Sequence, residues 1–381
     1  MSYPYAKLKN ISIIKTGKLD SNAAVVNGEY PFFTCDPNTL AINEWAYDTE
    51  AVLLAGNNAS GNYTAKYYSG KFNAYQRTYI IETSDKDILD IRFLASALNQ
   101  QLQLLKTISS GSTTKFLTIR MLHDLDIPLP NIGIQRRIAD TLSAYDDLIE
   151  NNRKQIKLLE EAAQRLYKEW FVDLCFPSHE HTKIVDGVPE GWGIYRFSDK
   201  VDIMSGGTPK TDNSNYYNGT IPFYTPKDSD GAFFAFNTIT NITEDGLNNC
   251  NSRLYPKNTV IVTARGTVGK TTLLGVPMAM NQSCYALKSD EIAAPYYLFF
   301  ALNKEIASLK AISNGGVFNT IIVKTFDSIH IAIPSNDLIA TFETLVTPIM
   351  EQIQVKTKEN FTLSEVRDRL LPKLMSGEVE V

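Results

Sequence analysis

After Pro130 the hydrophobic positions fall into steps of four and three: Ile138, Leu142, Tyr145, Ile149, Asn152, Ile156, Leu159, Ala163, Leu166 and Trp170. That 3.5-residue period is the seam of a helix built to pair with another. A second seam runs through Phe342, Val346, Ile349, Ile353, Lys356, Asn360, Leu363, Arg367, Leu370 and Leu374. Asn152 and Lys356 hold the same place in the two seams, and a polar residue at one seam position commonly sets register and partner number. Pro348 should interrupt a continuous helix, so Thr347-Pro348 reads as an N-cap followed by a first helical residue. Ser143-Ala-Tyr-Asp146 reads as a matching capping-box start. The pattern therefore predicts a short helix over 134–142 and a long one over 144–171. Their counterparts are 336–346 and 348–371, the latter stopped by Pro372. A lone long helix is marginal, so the two seams are expected to pair with each other as an antiparallel coiled coil.

Ahead of each seam the pattern is different. Short apolar runs at 51–55, 79–82, 260–264 and 328–333 alternate with Gly, Asn, Ser and Pro clusters, the pattern of strands and turns. Each such region carries one convincing helix before its last strand, over 91–108 and over Pro295–Ile312. The two halves are also similar to each other. At an offset of 204, Leu125-Asp-Ile-Pro-Leu-Pro130 falls on Ile329-His-Ile-Ala-Ile-Pro334, Gly111 on Gly315, and Arg165-Leu166 on Arg369-Leu370. Upstream, Pro31-Phe-Phe-Thr34 matches Pro222-Phe-Tyr-Thr225 at 191, Gly61 matches Gly269 at 208, and Gln76 with Tyr79 match Gln282 with Tyr285 at 206. The chain is one unit written twice. The fold class is α+β: two pseudo-repeated, mixed but mainly β domains over 1–130 and 190–333, separated by helical segments over 131–171 and 334–381, with a linker at 172–189.

Composition narrows what such a duplicate can do. With 44% hydrophobic and 21% charged residues in 381, this is a soluble globular chain. No apolar run reaches the ~18–20 residues of a membrane span, and the N-terminus lacks an export pattern. Cys35, Cys175, Cys250 and Cys284 lie far apart, which suits a reducing cytoplasm and argues against a disulfide framework or zinc knuckle. The net charge of −5 comes from the linker and the C-terminal tail; 1–130 and 190–333 each hold 12 basic and 12 acidic residues. That is not the profile of a protein that grips DNA alone by neutralising phosphates. A neutral domain can still bind DNA if its basic groups share a face.

Catalytic patterns are missing. Ala264-Arg-Gly-Thr-Val-Gly-Lys-Thr271 has Ala264 where a phosphate loop needs its first glycine, so it reads as a tight basic turn between strands. His179-Glu-His181, with Cys175 upstream, lacks a fourth metal ligand at the usual spacing and sits in the acidic linker. No nucleophile elbow, Cys/His pair or carboxylate dyad stands out. The pattern is that of a binding protein, with no cofactor and no metal of its own. Two diverged copies held by paired helices suit a bivalent reader of two unlike half-sites at fixed spacing.

Several segments carry a family resemblance: Ser205-Gly-Gly-Thr-Pro209, Ile221-Pro-Phe-Tyr-Thr225, Arg265-Gly-Thr-Val-Gly269, Gln282, Ile127-Pro-Leu-Pro130 with Gln135 and Ile138, and Arg369-Leu-Leu-Pro-Lys-Leu-Met-Ser-Gly377. In their order and duplication the chain resembles the specificity (S) subunits of type I restriction-modification systems over nearly its whole length. The first copy departs, with Lys15-Thr-Gly-Lys18 for Gly-Gly-Thr-Pro and Asn57-Asn-Ala-Ser-Gly61 for Arg-Gly-Thr-Val-Gly. The resemblance implies two target-recognition domains, each reading half of a split site in double-stranded DNA. It implies helices that act as a ruler and dock two methyltransferase (M) subunits, and restriction/translocase (R) subunits that complete the complex. S-adenosylmethionine would then belong to the M subunits and not to this chain. A helix over 144–171 would be ~42 Å long, about one DNA turn.

Reading bases needs bidentate donors and acceptors, placed on loops of a rigid domain. In the first copy the candidates are Asn57, Asn58, Ser60, Asn62, Lys66, Gln76, Arg77, Ser110, Ser112, Thr114 and Lys115. In the second they are Thr208, Lys210, Lys227, Arg265, Thr267, Lys270, Gln282, Asn314 and Asn319. The helix-pairing candidates are Ile149, Asn152, Ile156, Leu159, Leu166, Ile353, Lys356, Leu363 and Leu370. Two other classes stay open on sequence alone: a nuclease or methyltransferase with an unmarked active site, and a coiled-coil scaffold that binds only protein.

Overall fold

The structure is a computed structural model that describes residues 3–58, 61–111, 114–185, 187–289, 292–312 and 320–381. It divides into two compact units, the first Met1–Asn151 with Asn360–Val381 and the second Asn152–Glu359.

In the first unit a six-stranded sheet has the order Ser12–Thr16, Thr78–Thr83, Tyr47–Ala55, Ala65–Ala74, Tyr30–Phe33, Leu40–Ile42. Neighbours are antiparallel except Tyr30–Phe33, which runs parallel to Ala65–Ala74 with Phe32 opposite Asn73. The second half of the central strand, 51–55, is apolar without alternation because both of its faces are covered. Val52, Leu54 and Ile81 join Phe93, Leu94 and Leu98 on one side, while Ala51, Leu53 and Ile80 join Phe33 and Phe72 on the other. Tyr5–Lys7 pairs antiparallel with Asp126–Pro128 and ties the start of the unit to the end of its domain. The helix expected over 91–108 is two helices, Ile91–Gln100 and Leu102–Ile108. Gln101 breaks it, and its amide donates to the Asp126 carbonyl at 2.7 Å.

The second unit repeats the plan. Asp202–Ser205, Cys284–Lys288, Val260–Thr263 and Thr271–Leu274 lie in the order of their counterparts in the first unit. The parallel pairing recurs with Phe223 opposite Ala279, and Gly193–Arg196 pairs with His330–Ile333 as Tyr5–Lys7 does with Asp126–Pro128. Two expected strand ends move. The strand over 260–264 stops at Thr263, and that over 328–333 begins at His330 because Ser328 and Ile329 close the preceding turn. The helix Pro295–Ile312 is continuous, as expected.

The long helices differ from the sequence expectation above all in continuity: neither is broken. The first runs Ile132–Phe171 and the second Asn336–Ser376. Each begins one residue after a capping side chain missed by the sequence reading. Asn131 Oδ1 accepts the Ile134 N–H at 3.0 Å, and Ser335, 204 residues on, accepts that of Leu338 at 3.4 Å. Pro348 and Pro372 stand exposed inside the second helix. Each proline leaves one helix carbonyl without a donor, on the exposed residues Thr344 and Asp368, where water can serve it. The ~3 kcal/mol cost of a helix proline is offset by full burial of Phe342, Val346, Met350 and Ile353 along the opposite stripe.

Within each unit the two long helices pack antiparallel. In the first, Arg367 Nη1 meets Asp146 Oδ1 at 2.5 Å, while Ile138 and Leu142 share a core with Leu370, Leu371 and Leu374. Asp146 is thus an interhelical ion-pair partner and not a capping residue. In the second, Asn152 Nδ2 donates to Glu359 at 3.0 Å, and the Tyr167 and Phe342 rings stand 6.0 Å apart. Asn152 therefore takes Glu359, three residues beyond Lys356. Ile149, Asn152 and Ile353 are buried; Ile156, Leu159, Leu166, Lys356, Leu363 and Leu370 are half-buried. Among the described residues no helix is long and apolar enough to cross a membrane.

Candidate nucleic-acid interface

In the second unit the segment 264–270 is a hairpin turn between the antiparallel strands Val260–Thr263 and Thr271–Leu274. Thr263, fully buried beneath it, donates its hydroxyl to the Thr267 carbonyl and accepts the Lys270 N–H at 3.0 Å. Val268 packs inward on the core, which leaves Arg265, Thr267 and Lys270 exposed. Two other turns touch this one. The Thr267 hydroxyl donates to the Pro226 carbonyl at 3.2 Å, beside exposed Lys227. The Ala264 N–H donates to the Ser283 carbonyl at 2.7 Å, beside Gln282, whose Oε1 accepts the Thr208 hydroxyl.

The glycines before Thr208 explain how that loop gets so close. A Cβ on Gly206 would stand 2.3 Å from the Met280 and Asn281 carbonyl oxygens, so only glycine fits. Gly17 plays the same part in the first unit, 2.1 Å from the Ala74 carbonyl oxygen. The divergent Lys15-Thr-Gly-Lys18 thus keeps the close approach and changes the surroundings.

Thr208, Lys227, Arg265, Thr267 and Gln282 are brought together by three touching turns and the loop of Thr208. Arg265, Lys227 and Lys270 carry no ion pair among the described residues. Acidic Asp228 is spent internally, accepting the Thr225 N–H and hydroxyl at 2.8 and 2.7 Å and the Ile239 N–H at 2.7 Å. Lys270 leaves the turn on another side: a Cβ on Gly231 would lie 3.9 Å from its Nζ. Lys210 is exposed on a neighbouring loop. Asn314 and Asn319 lie outside the described residues.

The first unit builds its turn differently at the same place. Gly56 donates to the Arg77 carbonyl and accepts from the Leu117 N–H, both at 2.8 Å, so three loops converge again. Asn57 and Asn58 pair with Phe116 and Lys115, and Ser110 bridges to Phe116. Asn58 Oδ1 accepts the Asn62 N–H at 3.2 Å. Asn57 Oδ1 is buried with no hydrogen-bond partner among the described residues. Gln76, Arg77, Asn62 and Thr114 are exposed around this cluster. Lys66 stands apart on the sheet, donating to the Thr39 hydroxyl at 3.2 Å, with its ammonium pKa lowered by burial. Ser60 and Ser112 lie outside the described residues.

The sequence reading missed two lysines that touch these turns. Lys106 Nζ donates to Asn62 Oδ1 at 2.9 Å, and Lys310 Nζ donates to the Gly269 carbonyl at 3.0 Å. Their signal was present, since they are separated by the repeat offset of 204.

A doubled domain plan, paired long helices and matched polar turns define the class. The family described as the type I restriction modification DNA specificity domain matches residues 4–161 and again 189–345, and the chain belongs to that family. It is 29% identical over 299 residues to the type I restriction enzyme EcoDI specificity subunit of Escherichia coli, across 72% of this chain and 65% of the relative. It is 29% identical over 287 residues to the MjaIX specificity subunit of Methanocaldococcus jannaschii, across 73% and 66%. The match thus spans just under two thirds of either relative. With the HindI specificity subunit of Haemophilus influenzae it shares 26% over 365 residues, across 79% and 80%. A type I S subunit structure from M. genitalium shares the fold with a TM-score of 0.65 at 18% identity, covering 98% of this chain and 96% of that one.

Proposed function

We propose that this chain is the DNA sequence-specificity subunit of a type I restriction-modification complex and reads a bipartite, asymmetric site with its two domains. The observation that carries this reading is the pair of recognition turns. Both occupy one position in one strand order, yet one carries Asn57, Asn58 and Asn62 and the other Arg265 and Thr267, with Lys270 leaving on another side. Arginine and lysine suit guanine, and asparagine suits adenine. Equivalent turns with unlike side chains are what two unlike half-sites require. Threonine hydroxyls and turn N–H groups hold phosphates and set register.

The chain supplies recognition and no catalytic group. Methyltransferase subunits that bind S-adenosylmethionine dock on the paired helices, which also set the half-site spacing, and restriction subunits complete the assembly. Sharing the duplex with those partners accounts for domains that are electrically neutral. The free thiols of Cys35, Cys175, Cys250 and Cys284 are compatible with the cytoplasm as its compartment.

The test is to assemble the chain with its methyltransferase partners, supply S-adenosylmethionine, and map adenine methylation across random DNA. A two-part motif with a fixed spacer is expected. Methylation or cleavage by the purified chain alone would favour an enzyme, and an assembled complex without sequence preference would favour a protein scaffold.

A further inference from the structure

We propose that Lys106 and Lys310 are the positioning residues of the two recognition turns, each clamping the glycine turn of its own unit so that the neighbouring side chains point in one direction. The proposal deepens the functional reading above and rests on it for its DNA readout. Four observations converge on these lysines. They are exact repeat counterparts, 204 positions apart. Each sits in the last turn of a helix at the corresponding place in its unit, Leu102–Ile108 and Pro295–Ile312. Each ammonium donates into the turn, Lys106 to Asn62 Oδ1 at 2.9 Å and Lys310 to the Gly269 carbonyl at 3.0 Å. Each side chain also lies across the turn's left-handed glycine. A Cβ on Gly61 (φ +72°) would stand 3.2 Å from Lys106 Cγ, and one on Gly269 (φ +70°) would stand 2.8 Å from Lys310 Cε.

The glycine and the lysine therefore form a matched pair. The glycine is needed for its backbone angle, and the lysine stem lies against the side where a Cβ would stand. The clamp recurs in both units although the turns it holds have drifted. In the first its acceptor is a side chain, Asn62. In the second the corresponding position is Lys270, and the acceptor has moved to the main chain. Lys310 consequently shares its turn with a second cation; burial first and Lys270 second lower its pKa. A lysine already committed to an acceptor in its own unit acts on DNA through the residues it holds.

The test uses Lys106→Met and Lys310→Met, which keep the apolar stem and remove the donor. In hydrogen exchange on the full chain, amides at 61–62 should exchange about tenfold faster in the first variant and those at 269–270 in the second, with long-helix protection unchanged. In the assembled methyltransferase complex, each variant should lose about tenfold of base preference at one half-site only. The slope of log affinity against log salt should stay at the wild-type value, whereas loss of a direct phosphate contact would lower it by about 0.9. Unchanged protection in both turns overturns the clamp, as does a reduced salt slope with base preference intact. A wild-type complex without sequence preference would instead sink the functional reading, and the exchange experiment would still decide the clamp.

Discussion

Thr263→Val removes one hydroxyl and almost no volume, yet the 264–270 turn of the second unit is hung on that group. Thr263 has 0% exposure. Its hydroxyl serves the Thr267 carbonyl and the Lys270 N–H, closing the turn at both ends of its exposed arc. Valine leaves both main-chain groups without that partner. An orphaned buried group costs ~1–3 kcal/mol, and the turn lies near water, so the expected loss is ~2–3 kcal/mol in all. For a unit of this size that corresponds to a melting temperature lowered by roughly 4–10 °C. Calorimetry of the full chain measures it, with Thr263→Ser as the variant that keeps the hydroxyl. The turn also aims Arg265 and Thr267, so methylation mapping of the assembled Thr263→Val complex should show weakened base preference at one half of the site. A Thr263→Val protein that melts within about 1 °C of wild type and reads its site unchanged would refute the reasoning.

Arg265→Ala should cost about 1–3 kcal/mol at one half-site and leave preference at the other intact, as measured by competition binding of the assembled complex with half-site variants. Glu343 accepts the Tyr297 N–H at 2.7 Å at the start of the Pro295–Ile312 helix, and burial pushes its carboxyl from 4.5 up to about 7. The folded state therefore binds that proton more tightly than the unfolded chain. The stabilisation is complete below 4.5 and is lost as pH rises through about 7. Between about pH 5 and about pH 8, wild type should lose up to ~3 kcal/mol relative to Glu343→Gln, read by denaturant unfolding at each pH. Inserting four residues after Glu161, about one helical turn or ~6 Å, should lengthen the preferred spacer in methylation mapping if the helices set it, and an unchanged spacer would reject that role.

The doubling of the chain and its two long helices could be read from sequence because both are local or periodic signals. A seam of 3.5-residue steps is visible wherever it occurs, and an offset of 204 needs no knowledge of contacts. The turn at 264–270 was legible for the same reason: Ala264 stands where a phosphate loop needs glycine, and glycines punctuate the rest. Tertiary structure decided the remainder. Pro348 and Pro372 lie within one helix because their unpaired carbonyls face solvent while the other stripe is buried, a balance no local rule contains. Asn152 pairs with Glu359 because antiparallel packing, and not the repeat position, chooses its neighbour. Gly206 is indispensable for a contact with carbonyls 74 and 75 residues away. Lys106 and Lys310 look like ordinary helix-end cations along the chain, and they become turn-holding groups only where folding brings residues 44 and 41 positions distant to their ammonium groups. Sequence determines what repeats and with what period, because those properties belong to neighbouring residues. Which side chains converge on a turn depends on where the sheet returns the chain.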